Sequence, residues 1–319
     1  MKFWIGLLIS GLFLYLALRD VAWSEVLASW RTAQVGGLVG GTLLLVGSWM
    51  ISAVRWRILL APSPGLRIRD TFAYITIGYL ANTVLPLRLG DLARATLIGR
   101  NKGLGISRSL GSMAFERVLD LLTLLAITFA LTLLMELPAM IQAGVASMTG
   151  LAFGALLFLV IMALNKKRLD LLTRLMSRFM PHHLAERVTT LATNFVSGVD
   201  VVHRPLRLIP VIVLSVMVWG CTGLATWVWV GAFQLAVPWF APLFVLVVIN
   251  LGSAIPSSPG YVGVYHYLAV LALSIWVPDR NAALAYAFGT HALNMLANVS
   301  LGGYFLAREG VSLRALRGA

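Results

Sequence analysis

Only 12% of this chain is charged, yet six charged residues crowd into two short stretches. Arg88, Asp91 and Arg94 follow one another at three-residue steps, and Glu116, Arg117 and Asp120 come soon after. Three guanidinium groups and three carboxylates sum to zero charge, so they can neutralise one another out of water. An unpaired one at bilayer depth would cost about 2.5–3.5 kcal/mol on insertion scales. Two uses are open. In one, Arg88, Arg94 and Arg117 form a site for the phosphate of a lipid head group, with Asp91, Glu116 and Asp120 as supporting or coupling carboxylates. In the other, the six are topological anchors and structural ion pairs near a membrane surface.

A second polar set lies late in the chain. His291, Asn294 and Asn298 fall at i, i+3 and i+7, on one face of a helix. That face must point into a bundle, because lipid would leave its groups unsatisfied. It serves either helix-to-helix hydrogen bonding or cavity lining. His266 is a possible proton acceptor or a packed core histidine. His182-His183 has no other ligand-type residue at metal spacing, so no metal is expected, and no cofactor. The single cysteine, Cys221, sits mid-span and excludes a disulfide framework.

Two broken apolar segments would position these residues. Leu85-Pro86-Leu87-Arg88-Leu89-Gly90 lines up with Ile255-Pro256-Ser257-Ser258-Pro259-Gly260: aliphatic, proline, three residues, glycine. Proline ends an entering half-helix and glycine permits the sharp turn that follows. A new half-helix would then start near Asp91 and near Tyr261, its free N–H groups and positive dipole end favouring an anion. Gly/Pro-interrupted helices in two opposed repeats point to a midplane binding site.

Composition sets the surroundings. The chain has 319 residues, 59% of them hydrophobic, with a mean hydropathy of +0.88. Apolar runs at Phe3–Leu18, Val35–Val54, Val118–Met135, roughly 146–164, Pro210–Gln234 and Ala283–Leu306 read as six full membrane spans. The first is not a signal peptide, since no convincing cleavage site follows. Gly36, Gly37, Gly40, Gly41, Ser48 and Ser52 in the second give it a small-residue stripe for close packing, and Arg55, Arg57, Arg67 and Arg69 after it read as a basic loop. The two broken segments read as re-entrant hairpins at about 71–105 and 240–276, entering from opposite faces. A basic segment at about 165–208 lies between them, with a surface helix carrying Leu172, Leu175 and Phe179. Lysine and arginine then divide 22 to 3 between the proposed inner and outer faces. That asymmetry predicts a multi-pass membrane protein with its basic loops and both termini on the cytoplasmic side. Net charge of +13 thus reflects topology, and nucleic acid is not an expected partner. A homodimer is left open.

At these residues the chain resembles the flippase-like transmembrane domain of lysylphosphatidylglycerol synthases and its stand-alone relatives. Asn82 to Asp91 with Arg94 is similar to that family's N-x-x-[LF]-P-x-R-x-G-[DE] stretch, and Glu116-Arg117 with Asp120 to its E-R-x-x-D element. Ile255 to Gly260 with Gly263 is similar to its late P-x-x-P-G-x-x-G turn. The resemblance implies that Asn82, Pro86, Gly90, Pro256, Pro259, Gly260 and Gly263 shape the hairpin turns. Two positions depart from it: Tyr261 stands where glycine is common, and His266 where members often carry glutamate. No aminoacyltransferase domain follows, so lysyl-lipid synthesis is not expected. The implied fold is all-α and polytopic, and the implied activity is translocation of an anionic membrane lipid. With no P-loop in the sequence, ATP is not the expected energy source. A membrane enzyme acting on lipid-linked substrates and a non-transporting membrane partner are the alternatives.

Overall fold

The computed structural model describes residues 2–19, 21–85, 89–137, 139–164, 182–252 and 257–311. These form twelve α-helices and two short 3-10 turns, and no strand occurs among the described residues. In chain order they are α1 (Lys2–Leu18), α2 (Trp23–Thr32), α3 (Val35–Leu59), α4 (Ile68–Val84), α5 (Leu89–Asn101) and α6 (Ile106–Thr132). Then come α7 (Ala139–Leu164), α8 (His182–Ser197), α9 (Pro205–Ala232), α10 (Ala241–Gly252), α11 (Val264–Leu273) and α12 (Arg280–Arg308).

Five helices, α3, α6, α7, α9 and α12, run 25 to 29 residues. At 1.5 Å per residue each reaches roughly 38–44 Å, more than the hydrocarbon thickness of about 30 Å. Helices α3 and α9 are long and apolar enough to cross a bilayer, with hydropathies of 1.7 and 2.1. In α6 and α12 the polar residues turn inward, among them Glu116, Asp120, Thr290 and His291. The outer surface is apolar instead: Leu43, Phe129 and Leu296 are each more than 60% exposed. A water-facing surface would not carry such a continuous apolar covering.

The antiparallel pair α3–α9 is the backbone of the bundle. Trp229 Nε1 donates to the Leu38 carbonyl and Cys221 Sγ to the Leu44 carbonyl, while Ser215 meets Arg55 at the other end. The small-residue stripe makes this approach possible. A Cβ on Gly41 would stand 2.5 Å from the Trp229 ring, and one on Gly37 2.8 Å from Ala232 Cβ.

Helices α4 and α5 fold back on each other, and so do α10 and α11. The base of the first hairpin is polar: Lys102 Nζ lies 2.9 Å from Asp70 Oδ1 and 3.7 Å from Glu309 Oε2. The base of the second is aromatic, with Trp276 edge-on to Phe240 and Phe244 at 6.0 and 5.6 Å. Glu309 follows the last residue of α12, whereas Trp276 precedes its first by four. The two bases therefore sit at opposite ends of one long helix. The tips meet halfway along it, where Gly260 lies against Thr83 of α4 and Met295 of α12.

Several boundaries differ from the sequence reading. Helix α3 continues to Leu59, so Arg55 and Arg57 belong to a helix and not to a basic loop. Helix α6 begins at Ile106, twelve residues before Val118, and carries Glu116 and Arg117 in its interior. In both cases charge does not end the helix, because each charged group finds a partner within the bundle. Helix α7 begins at Ala139, shortening the expected loop. Helix α2 was not anticipated. It packs on the start of α12 through Ala22 N–H, which donates to Asn281, and through Trp23 on Phe288. The hairpin helices are Ile68–Val84 with Leu89–Asn101, and Ala241–Gly252 with Val264–Leu273. Pro86, Arg88, Pro256 and the expected surface helix with Leu172, Leu175 and Phe179 lie outside the described residues.

Candidate functional site

The charged cluster forms where α3, α5 and α6 come together. Glu116 is fully buried at its centre, and one oxygen, Oε1, faces three guanidinium groups: Arg117 at 2.6 Å, Arg94 at 3.0 Å and Arg55 at 3.3 Å. Asp120 sits one turn on. It takes Arg55 at 2.7 Å, the Trp219 indole N–H at 3.2 Å and Arg117 at 3.3 Å. Asp91, in the first turn of α5, lies 3.4 Å from Arg94. Among the described residues three arginines thus meet three carboxylates, and their charges sum to zero.

Its membership extends the sequence reading. Among the described residues the third arginine is Arg55; Arg88 lies outside them. Arg55 was read as a loop charge, but Ser48, Ser52 and Arg55 recur at i, i+4 and i+7 and mark a polar face that reaches it. Arg94 has no exposure at all. It stacks 4.8 Å from the Trp56 ring and stands behind the cavity wall instead of on it. Arg117 is the accessible arginine, its side chain 41% exposed. The pairing is also unsaturated: Glu116 Oε2 and Arg94 Nη1 are buried without a hydrogen-bond partner.

The cluster opens onto a cavity of about 590 Å³, within the range of small-molecule sites. Arg55, Asp91, Arg117 and Asp120 line it, as do residues from both hairpin tips: Asn82 and Thr83 from one, Asn250, Gly260 and Tyr261 from the other. His291, Asn294 and Asn298 line it from α12, as their shared face requires.

Each tip is held by its own chemistry. In the first, Asn82 Oδ1 accepts the Gly90 N–H at 2.8 Å, fastening the end of α4 to the start of α5. A Cβ on Gly90 would come 2.1 Å from the Gly78 carbonyl, so only glycine allows this crossing. In the second, Pro259 opens a 3-10 turn in which Gly260 takes φ of +69°, and Gly263, at the cap of α11, takes +88°. Between them Tyr261 also takes positive φ, +58°, a conformation that L residues adopt reluctantly. Helix α1 supports this turn: Ser10 Oγ accepts the Ser258 N–H at 2.7 Å.

His266 stands one layer behind the cavity and is not alone. The Gly263 N–H approaches His266 Nδ1 at 3.2 Å, His266 Nε2 meets His291 Nδ1 at 3.1 Å, and His291 Nε2 meets the Gly260 carbonyl at 2.8 Å. A backbone N–H can only donate and a carbonyl can only accept. The chain therefore has one polarity, with the proton on Nε2 of each ring. Every ring nitrogen is occupied, so His266 takes up a proton only by surrendering a bond that shapes the turn. Among the described residues no group of three or more histidine, cysteine, aspartate or glutamate side chains is placed to hold a metal.

Comparison with known proteins agrees with this architecture. Glycosyltransferase AglD of Haloferax volcanii is 24% identical over an alignment covering 90% of this chain and 51% of that protein. The chain thus spans about half the length of the curated relative it matches. No solved structure matches it. Residues 3–302 match the family described as Lysylphosphatidylglycerol synthase TM region, almost the whole chain. The all-helical bundle, its apolar exterior and that match together place the chain in the lysylphosphatidylglycerol synthase TM family, as a multi-pass membrane protein.

Proposed function

We propose that this protein moves an anionic lipid, a phospholipid or a polyprenyl-phosphate-linked carrier, across the cytoplasmic membrane. The observation that carries the reading is a neutral six-charge cluster that opens, through Arg117, onto a cavity bounded by the tips of two opposed hairpins. The hairpins are read as re-entrant, because α4, α5, α10 and α11 are 17 residues or fewer and each pair returns to its base. The lipid phosphate enters from the bilayer and draws Arg117 from Glu116 and Asp120, while the acyl or prenyl tail stays in lipid. Arg55 supplies a second guanidinium on the wall. Arg94 positions Glu116 from behind, keeping that carboxylate neutralised while Arg117 is engaged. Arg88 is retained as a head-group ligand on its sequence position alone. A pre-paired cluster suits transport, since Arg55, Arg117 and Asp120 face the empty cavity already compensated by one another and by Glu116.

The test is translocation of head-group-labelled phospholipids in liposomes containing the purified protein. Wild type should move them, and folded Arg117→Gln and Arg88→Ala variants should be at least tenfold slower; full transport by both variants would overturn the reading. The name of the Haloferax relative favours a second reading, chemistry on a lipid-linked substrate. Mass spectrometry of the incubated lipid separates the two: an unchanged mass with changed sidedness supports transport, and a new mass supports an enzyme.

A further inference from the structure

The cavity has two chemically different regions. Among the described residues, its charged lining belongs to the cluster, namely Arg55, Asp91, Arg117 and Asp120. Away from them the polar lining is neutral. Helix α9 presents Trp219, Thr222, Thr226 and Trp229 at i, i+3, i+7 and i+10, one continuous face of the wall. Trp219 touches Asp120, so this face starts at the cluster. Trp229 lies ten residues further, roughly 15 Å along the helix. The phosphate site thus continues into a long neutral chamber, which also takes in Trp49 and Tyr261.

The amides there are arranged for hydroxyl groups. Asn298 Nδ2 donates to Asn294 Oδ1 at 2.9 Å, which uses one donor and one acceptor. Asn298 Oδ1 is left buried without a partner. The other side of the pair keeps an N–H₂ to offer, and exchanging O and N in both amides leaves the same complement. A hydroxyl, which both donates and accepts, satisfies such a pair; an ammonium only donates. A cationic head group would also need a carboxylate, and all three in the cluster already face arginine. Indole and phenol rings add apolar faces with polar edges, suited to the C–H face of a saturated ring.

We infer that the chamber takes a lipid phosphate whose head group is an uncharged, ring-shaped polyol, a hexose or an inositol. This rests on the anionic-lipid reading above and narrows it. A site built to bond hydroxyls rejects an analogue lacking them, because its buried polar groups are then left unpaired.

Two matched probe pairs test it, with binding to the purified protein in detergent read by quenching of the wall tryptophans. Prenyl-phosphoryl-hexose is compared with prenyl phosphate, and phosphatidylinositol with phosphatidic acid of the same acyl chains. At least a tenfold preference for the polyol member is expected in one pair, and that pair identifies the source of the ring. The preference ratio should collapse in Asn298→Leu, with Asn294→Leu as a second variant should the first fail to fold. Equal affinity within both pairs would overturn the polyol inference while leaving an anionic-lipid site standing. Failure to bind all four probes, with no lipid translocated in liposomes, would instead remove the anionic-lipid reading itself.

Discussion

Glu116 gathers three guanidinium groups on one oxygen and leaves the other bare. Such a centre is intolerant of partial removal, because breaking a buried pair strands the remaining charge. Glu116→Gln should therefore destabilise the fold by about 3–5 kcal/mol. Arg55→Gln should cost a similar amount, since it strips Asp120 of its shortest ion pair. Thermal unfolding in detergent checks both, and the double variant should cost clearly less than the two losses added together, because the singles break a shared network. Additive losses would mean that Arg55 and Glu116 do not communicate. Most of this cluster was legible in the sequence, because opposite charges in an apolar chain must find one another. Arg55 was missed because it stands next to a run of loop arginines; only its helical register with Ser48 and Ser52 separates it from them.

At the scale of elements, the two breaks are alike in sequence and unlike in construction. The first is closed by an amide and a glycine crossing, the second by a histidine chain and positive-φ residues. Gly90→Ala should lower stability by about 1–3 kcal/mol through overpacking against the Gly78 carbonyl. Asn82→Ala should cost roughly 1–3 kcal/mol, the penalty of an orphaned buried N–H. Urea unfolding in detergent checks the pair, and an unaffected Gly90→Ala protein would mean that α4 and α5 separate easily. The proline–glycine spacing foretold where the helices break, because those residues act on the local backbone. It did not foretell what holds the breaks shut. Asn82 with Gly90 is eight residues apart and His291 with Gly260 thirty-one, and contacts across such separations are decided by packing.

At the scale of the whole molecule, each hairpin returns to its own end of α12. If those ends lie on opposite faces of a bilayer, single cysteines introduced by Arg67→Cys and Lys102→Cys in a Cys221→Ser background should react with an impermeant reagent from one side only. Those introduced by Trp239→Cys and Asp279→Cys should react only from the other. Labelling of Arg67→Cys and Lys102→Cys from opposite sides would replace the first hairpin with a full crossing. The apolar composition and the asymmetry of basic residues made the bundle legible, since both are summed over many residues. Helix α2 was not, because ten residues of mixed character carry too weak a periodicity to be separated from a connecting loop.

The six charges of the cluster all lie between residues 55 and 120, whereas the two tips that bound the cavity are 177 residues apart, at Thr83 and Gly260. During synthesis at about 5–20 residues per second, the second tip would emerge roughly 10–35 s after the first. The newborn chain can therefore settle its costly ionic groups among themselves while α9 to α12 do not yet exist. The unfinished half spends that interval with its charges already matched, and what it still lacks is mainly the neutral wall.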